Sequence, residues 1–324
     1  MPRDPKTHAP DTSGEIALDV GGHELDVRVG LGLFASESQV SQLLSIARQV
    51  DVDAGQTLYA QDTPAVTLFQ IASGQVELRA GTEPAWHVIE SGAVGFVDFV
   101  LGRPHTRTAV TTAPCRLLEL DASDYRDYLE DNFEIVHQLL ARVSAELVGD
   151  AIATPEPGLI LESVASPRSR SYAKVEVPVV ERLTMMSRLD VFAGASMQAL
   201  AYLAQSAREI RFEPGDVIAA AASTPTMLSI LVEGSVELRL PDGNRVQRAG
   251  RDLVAHVEEL ATAPRKTTVV ATAHAIVLQI EREELLDRFE EHFELALAAL
   301  SYVVREQGRL NDILAGAGLP VAMG

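Results

Sequence analysis

A duplication held in one register across most of the chain constrains the fold more than any other feature. Ile71-Ala-Ser-Gly74-Gln-Val-Glu-Leu78 returns 160 residues later as Leu231-Val-Glu-Gly234-Ser-Val-Glu-Leu238. Asp53-Ala-Gly55 returns as Glu213-Pro-Gly215, Pro104 as Pro264, and Asp131-Asn-Phe133-Glu134 as Glu291-His-Phe293-Glu294, all with the same offset. That period is far above the roughly 20 to 50 residues of solenoid and propeller repeats, so each copy is expected to be a complete domain.

The copies are placed at residues 31–150 and 186–310. Before them, residues 1–30 read as a disordered arm followed by a hairpin, with Ile16 to Val20 and Leu25 to Val29 alternating around Gly21-Gly22. Between them, residues 151–185 are rich in proline and serine and read as a linker; residues 311–324 form a tail.

Composition limits the function classes. The 324 residues are 47% hydrophobic, enough for the cores of two domains, and no apolar run approaches the roughly 18 to 20 residues of a membrane span. Lysine and arginine total 27 against 46 aspartate and glutamate, and the net charge of −19 repels a phosphate backbone. Cys115 is the only cysteine, which rules out an intrachain disulfide or a thiolate zinc site. The expectation is a cytoplasmic protein with no membrane and no nucleic-acid partner.

Each copy shows the same order of elements. A helical segment (Glu37 to Arg48; Ser196 to Arg208) precedes several short, half-alternating β runs broken by glycine and proline. One long amphipathic helix follows. Its apolar stripe is Tyr125, Leu129, Phe133, Val136, Leu140, Val143 and Leu147 in the first copy, and Leu285, Phe289, Phe293, Ala296, Leu300 and Val303 in the second. The expected fold class is α+β: two tandem small β-jelly-roll barrels, each flanked by an N-terminal helical segment and a long C-terminal amphipathic helix.

This arrangement resembles the cyclic-nucleotide-binding domain family of catabolite-activator-like and kinase-regulatory-subunit-like proteins. The matching residues are Leu31-Gly-Leu-Phe34 and Asp190-Val-Phe192, the turn at Pro214-Gly215 (Ala54-Gly55 in copy one), and the Gly74 and Gly234 strands. The resemblance implies a phosphate-binding cassette, typically Phe-Gly-Glu-x-Ala-Leu and then Pro-Arg-x-Ala-Thr. In it the glutamate accepts from a ribose hydroxyl, helix N–H groups face the cyclic phosphate, and the arginine neutralises it.

Both cassettes depart from that pattern. In copy one Gly95 is kept, but Phe96 stands at the glutamate, Asp98 at the small alanine and His105 at the arginine. Arg107 is the alternative cation, two residues on and so on the same strand face. In copy two Ala255 precedes His256 at the glutamate position, Glu258 stands at the alanine, Pro264-Arg265 survives, Lys266 adds a second cation and Thr267 replaces an alanine. Asp98 and Glu258 at equivalent places read either as acceptors for a different ligand or, the preferred reading, as helix N-terminal charges favoured by the dipole. His105 and His256 read as packed or surface histidines rather than ligands, and Phe96, Phe99 and Val100 as core. Arg168 and Arg170 form a small basic island, read as solvated linker or as reaching an anion such as cyclic di-GMP.

No metal-ligand spacing, P-loop or nucleophile elbow appears, so no catalytic residue, metal or cofactor is expected. The residues after Arg309 are not expected to carry a recognition helix. The leading expectation is a non-enzymatic second-messenger sensor that binds a cyclic mononucleotide at copy two and signals to a protein partner. The long helices would provide the homodimer seam. The alternatives are a ligand-free scaffold and a cyclic di-GMP effector.

Overall fold

The computed structural model describes residues 18–19, 24–25, 36–82, 85–88, 92–163, 171–172 and 174–316. The Leu31-Gly-Leu-Phe34 segment and the basic island with Arg168 and Arg170 lie outside the described residues.

Two short strands, β1 (Leu18–Asp19) and β2 (Glu24–Leu25), pair antiparallel. Helix α1 (Glu37–Ile46) is started by a capping box between Ser36 and Gln39 and runs directly into β3 (Ala47–Val52). The strands β4 (Thr57–Tyr59), β5 (Thr67–Ser73), β6 (Val76–Arg79), β7 (Trp86–Val88) and β8 (Ala93–Val94) follow. The short helix α2 (Phe96–Val100) then leads to β9 (Thr108–Thr111) and β10 (Cys115–Asp121). These strands form two four-stranded antiparallel sheets, ordered β3-β10-β5-β8 and β4-β9-β6-β7. Phe69, Ile71, Val76, Val94, Ala109, Cys115 and Leu117 fill the space they enclose.

After α3 (Ala122–Asp131), α4 (Phe133–Ala153), α5 (Gly158–Leu161), α6 (Val179–Met186) and α7 (Met197–Ser206), the second copy repeats this plan. Its strands are β11 (Arg208–Phe212), β12 (Val217–Ala219), β13 (Met227–Glu233), β14 (Ser235–Arg239), β15 (Arg245–Ala249), β16 (Asp252–Leu253), β17 (Thr268–Ala271) and β18 (Ala275–Glu281). They form sheets β11-β18-β13-β16 and β12-β17-β14-β15, the same order shifted by one repeat. Helices α8 (Arg282–Glu291) and α9 (Phe293–Gly316) close the described chain.

The tandem jelly-roll plan is present, with local corrections. The opening helices end at Ile46 and Ser206, two residues before Arg48 and Arg208, because strand pairing starts there: Ala47 faces Leu120 and Arg208 faces Gln279. Each long helix is two helices, broken at Asn132 (φ −125°, ψ 55°) and His292 (φ −132°, ψ 77°). Within the expected linker, α5 and α6 form, and Ser163 bridges to Arg248. Helix α9 continues past residue 310 into the expected tail.

The apolar stripes are not an exposed seam. Tyr125, Leu129, Val136, Leu140 and Leu147 are buried, as is every residue of the second stripe from Leu285 to Val303. Contacts gather the chain into two units that do not follow the repeats: Met1–Phe96 with Pro104–Tyr125, and Val97–Arg103 with Arg126–Gly324. In the second unit α4 packs along α9, and Ser301 Oγ donates to Val100 O at 2.7 Å.

The repeated glycines do unequal work. Gly215 and Gly234 both have positive φ (+99° and +98°), but a Cβ at 215 meets open space, whereas one at 234 meets the backbone of His274 and Ala275. Gly215→Ala is expected to lose about 1 kcal/mol from backbone conformation alone and Gly234→Ala more than about 2 kcal/mol. Urea unfolding of both variants checks this; equal losses contradict it.

Candidate functional site

The backbone fixes the register that sequence comparison left open. Asp62 N donates to His105 O and His105 N to Thr63 O, at 2.8 and 2.9 Å. Ala222 N donates to Arg265 O and Arg265 N to Ser223 O, again at 2.8 and 2.9 Å. Gln61 N reaches Thr108 Oγ1 and Ala221 N reaches Thr268 Oγ1 in the same way. His105 therefore stands where Arg265 stands, and Arg107 is the counterpart of Thr267, so a two-residue slip does not occur.

The first cassette is divided between the two units. In the first unit, His105 is 1% exposed and its ring lies flat on Tyr59, centroids 3.6 Å apart and planes 11° off parallel. Arg107 is buried beside it in sequence. Gly95 takes φ +89°, and a Cβ there would crowd Thr67 O, so the family glycine is needed. Phe96 meets Tyr125 edge to face at 6.4 Å. In the second unit, Asp98 lies in the first turn of α2 and accepts from Arg103 Nε at 2.9 Å. The expected helix-end charge has a cation of its own.

The second cassette lies wholly in the second unit. Residues His256–Leu260 form one buried 3-10 turn, which starts without a glycine: Ala255 has φ −107° and His256 takes the left-handed value, +54°. A polar group buried on this turn costs free energy unless it is hydrogen-bonded. Glu258 finds three partners. Its Oε1 accepts from Lys266 N and, at 3.2 Å, from Thr267 N, and its Oε2 accepts from the Thr267 hydroxyl. The dipole reading of Glu258 is thus corrected: its carboxylate is held by the loop that follows Arg265, not by the end of its own helix.

Glu259, which sequence comparison left without a role, is fully enclosed. Its Oε2 accepts from Ser229 N at 2.7 Å, and its Oε1 lies 3.4 Å from Arg265 Nη2. Arg265 is 7% exposed, and its Nη1 has no partner among the described residues. Lys266 is exposed. At the other end of the turn, Arg282 donates to the carbonyls of Glu259, Leu260 and Ala261 at 3.0 to 3.2 Å, so the first residue of α8 clamps the cassette. Arg282 and Arg248 could not be found by comparing the copies, because their counterparts are Ala122 and Val88.

The arrangement can hold a carboxylate or a phosphate on the N–H groups of Lys266 and Thr267, and it already holds a carboxylate. Ala255, His256 and Thr267 are buried wall. Among the described residues no group of histidine, cysteine and acidic side chains could hold a metal ion, and no helix is long and apolar enough to cross a membrane.

Burial pushes the Glu259 carboxyl up to about 7, against the pull of Arg265 and the Ser229 bond. The folded state therefore holds a proton that the unfolded chain releases above about 4.5, and stability falls as pH rises from about 4.5 to 7, by about 3 kcal/mol. Glu259→Gln should flatten that part of the profile in pH-dependent urea unfolding; an unchanged slope contradicts the assignment.

Comparison with known proteins adds the family. The family model described as "Cyclic nucleotide-binding domain" matches residues 49–132 and 209–292, two segments offset by the same 160 residues and together over half the chain. A CRP-like cAMP-activated global transcriptional regulator of Mycobacterium tuberculosis is 27% identical over 152 residues, spanning 44% of this chain and 68% of that protein. Among solved structures, the regulatory subunit of a cAMP-independent protein kinase A from Trypanosoma brucei aligns over 90% of both chains at 17% identity, TM-score 0.33. The N-terminal domain of a transcriptional regulator from Streptomyces coelicolor A3(2) covers 36% of this chain and 87% of its own at 24% identity, TM-score 0.33. On its two matched segments and their shared antiparallel topology, the chain belongs to the cyclic nucleotide-binding domain family, a family of non-enzymatic regulatory domains.

Proposed function

We propose that this protein is a cytoplasmic, non-enzymatic regulatory module whose second cassette is held in its folded arrangement by an internal anion, Glu258, and which acts through contacts with a protein partner. One observation carries the reading: the Glu258 carboxylate occupies the N–H groups of Lys266 and Thr267, next to the arginine that the family resemblance assigns to phosphate. A cyclic nucleotide would have to displace a buried, triply bonded carboxylate and bring its own charge beside it. In a partly desolvated site, like charges a few ångströms apart cost on the order of a few kcal/mol. The first cassette supports the same reading, since its arginine position is a histidine stacked on Tyr59. The net charge of −19 argues against nucleic acid as the partner.

The unpartnered Nη1 of Arg265 favours a second reading, in which a cyclic mononucleotide enters copy two and displaces Glu258. Calorimetric titration of cAMP separates the two. The wild type is expected to show no binding at concentrations up to about a hundred micromolar, and Glu258→Ala to gain affinity at least tenfold. Micromolar binding by the wild type would falsify the internal-anion reading.

A further inference from the structure

Helix α4, the long helix of the first copy, packs against the His256–Leu260 turn of the second, and both belong to the second unit. The helix meets the cassette at two places. His137 Nε2 lies 3.3 Å from Arg282 Nη2, the residue that clamps the turn. About three helical turns further on, a Cβ at Gly149 would come within 2.6 Å of Lys266 Nζ.

Elementary chemistry fixes the protonation of that histidine. A guanidinium has donors and no acceptor, so the nitrogen facing Arg282 is the unprotonated one. The proton of the neutral ring is then on Nδ1, which faces Glu134 Oε2 at 3.7 Å. Among the described residues, Arg282 on α8 and Glu134 on α4 are the charged groups that bear on this ring, and the Phe133 ring lies parallel to it within 8°. On the turn itself, Glu258 is engaged by Lys266 and Thr267, and Glu259 by Ser229. Burial first, and then the guanidinium, hold the imidazole below the ordinary value of 6.5; Glu134 offsets only part of this.

Arg282 makes the contact consequential. Its Nη1 donates to the carbonyls of Glu259 and Ala261, and its Nη2 to Leu260 O and to His137. A protonated ring would set N–H against N–H and cation against cation at that point. The contact also occurs only once, because the counterparts of His137 and Arg282 are Leu297 and Ala122. At the first cassette the carbonyl equivalent to that of Leu260 is Val100 O, met by Ser301 Oγ of α9 at 2.7 Å, a hydroxyl that does not titrate in this range. Only the second cassette is therefore docked through a titratable group at this position.

We propose that His137 and Arg282 form a proton-released latch: the neutral imidazole holds the long helix of the first copy on the second cassette, and its protonation frees the helix from the turn. Because the folded protein resists this proton, the latch is closed above 6.5 and is lost as pH falls through a lower midpoint. The inference does not depend on the internal-anion reading.

The test is an NMR titration of the full chain from about pH 8 to about pH 5, in wild type and in His137→Gln, following histidine ring nitrogens and the backbone amides of Glu259, Leu260 and Ala261. His137 is expected as the Nδ1–H tautomer at the upper end, with a midpoint below 6.5. The three amides should move in two steps, one near 7 as Glu259 takes its proton and a lower one in step with His137. Glutamine keeps an oxygen that accepts from Arg282 and does not titrate, so His137→Gln should retain the first step and lose the second. The wild-type titration decides by itself if the variant fails to fold. An Nε2–H tautomer at the upper end, a midpoint at or above 6.5, turn amides that do not follow His137, or a lower step that survives in His137→Gln overturns the proposal.

Discussion

The buried carboxylate of Glu258 is the constraint around which the second cassette is organised. A charged group at 3% exposure is tolerable only when hydrogen-bonded, and Lys266 N, Thr267 N and the Thr267 hydroxyl bind it from a loop eight and nine residues further on. Those bonds tie the 3-10 turn to the start of β17, and the Arg282 clamp ties the end of the same turn to α8. The cassette is thus joined on one side to the barrel and on the other to the C-terminal helices, the route by which a change in the turn would reach α8.

Arg265 adds a second, weaker constraint. Its contact with Glu259 is long, at 3.4 Å, and leaves one guanidinium nitrogen unmatched, while Glu259 is held largely by burial and the Ser229 amide. The pair is therefore not a strong ion pair. The three bonds at Glu258 are the more determinate feature and carry the functional reading.

Much of this was legible in the sequence because duplication reports itself. Gly74 and Gly234 recur because a strand turn needs positive φ and allows no Cβ, and the 160-residue register of the strands follows directly. The Asp98 and Glu258 substitutions could be located by the same means. Their roles could not, because they depend on partners outside the cassette string: Asp98 turns to Arg103, which has no basic counterpart in copy two, and Glu258 turns to backbone N–H groups, which no side-chain pattern reveals. The helix breaks at Asn132 and His292 were hidden because an apolar stripe at helical spacing continues through them. Residues present in only one copy, Arg248, Arg251 and Arg282 among them, are invisible to a comparison of repeats.

The most direct test of the central claim is the amide spectrum of Lys266 and Thr267. Two N–H groups bound to a buried carboxylate should give strongly downfield proton resonances. These should move upfield in Glu258→Gln and stay in place when wild-type protein is saturated with cAMP. Resonances that move when cAMP is added to wild type, or that are indifferent to Glu258→Gln, would show that these N–H groups serve a ligand rather than Glu258.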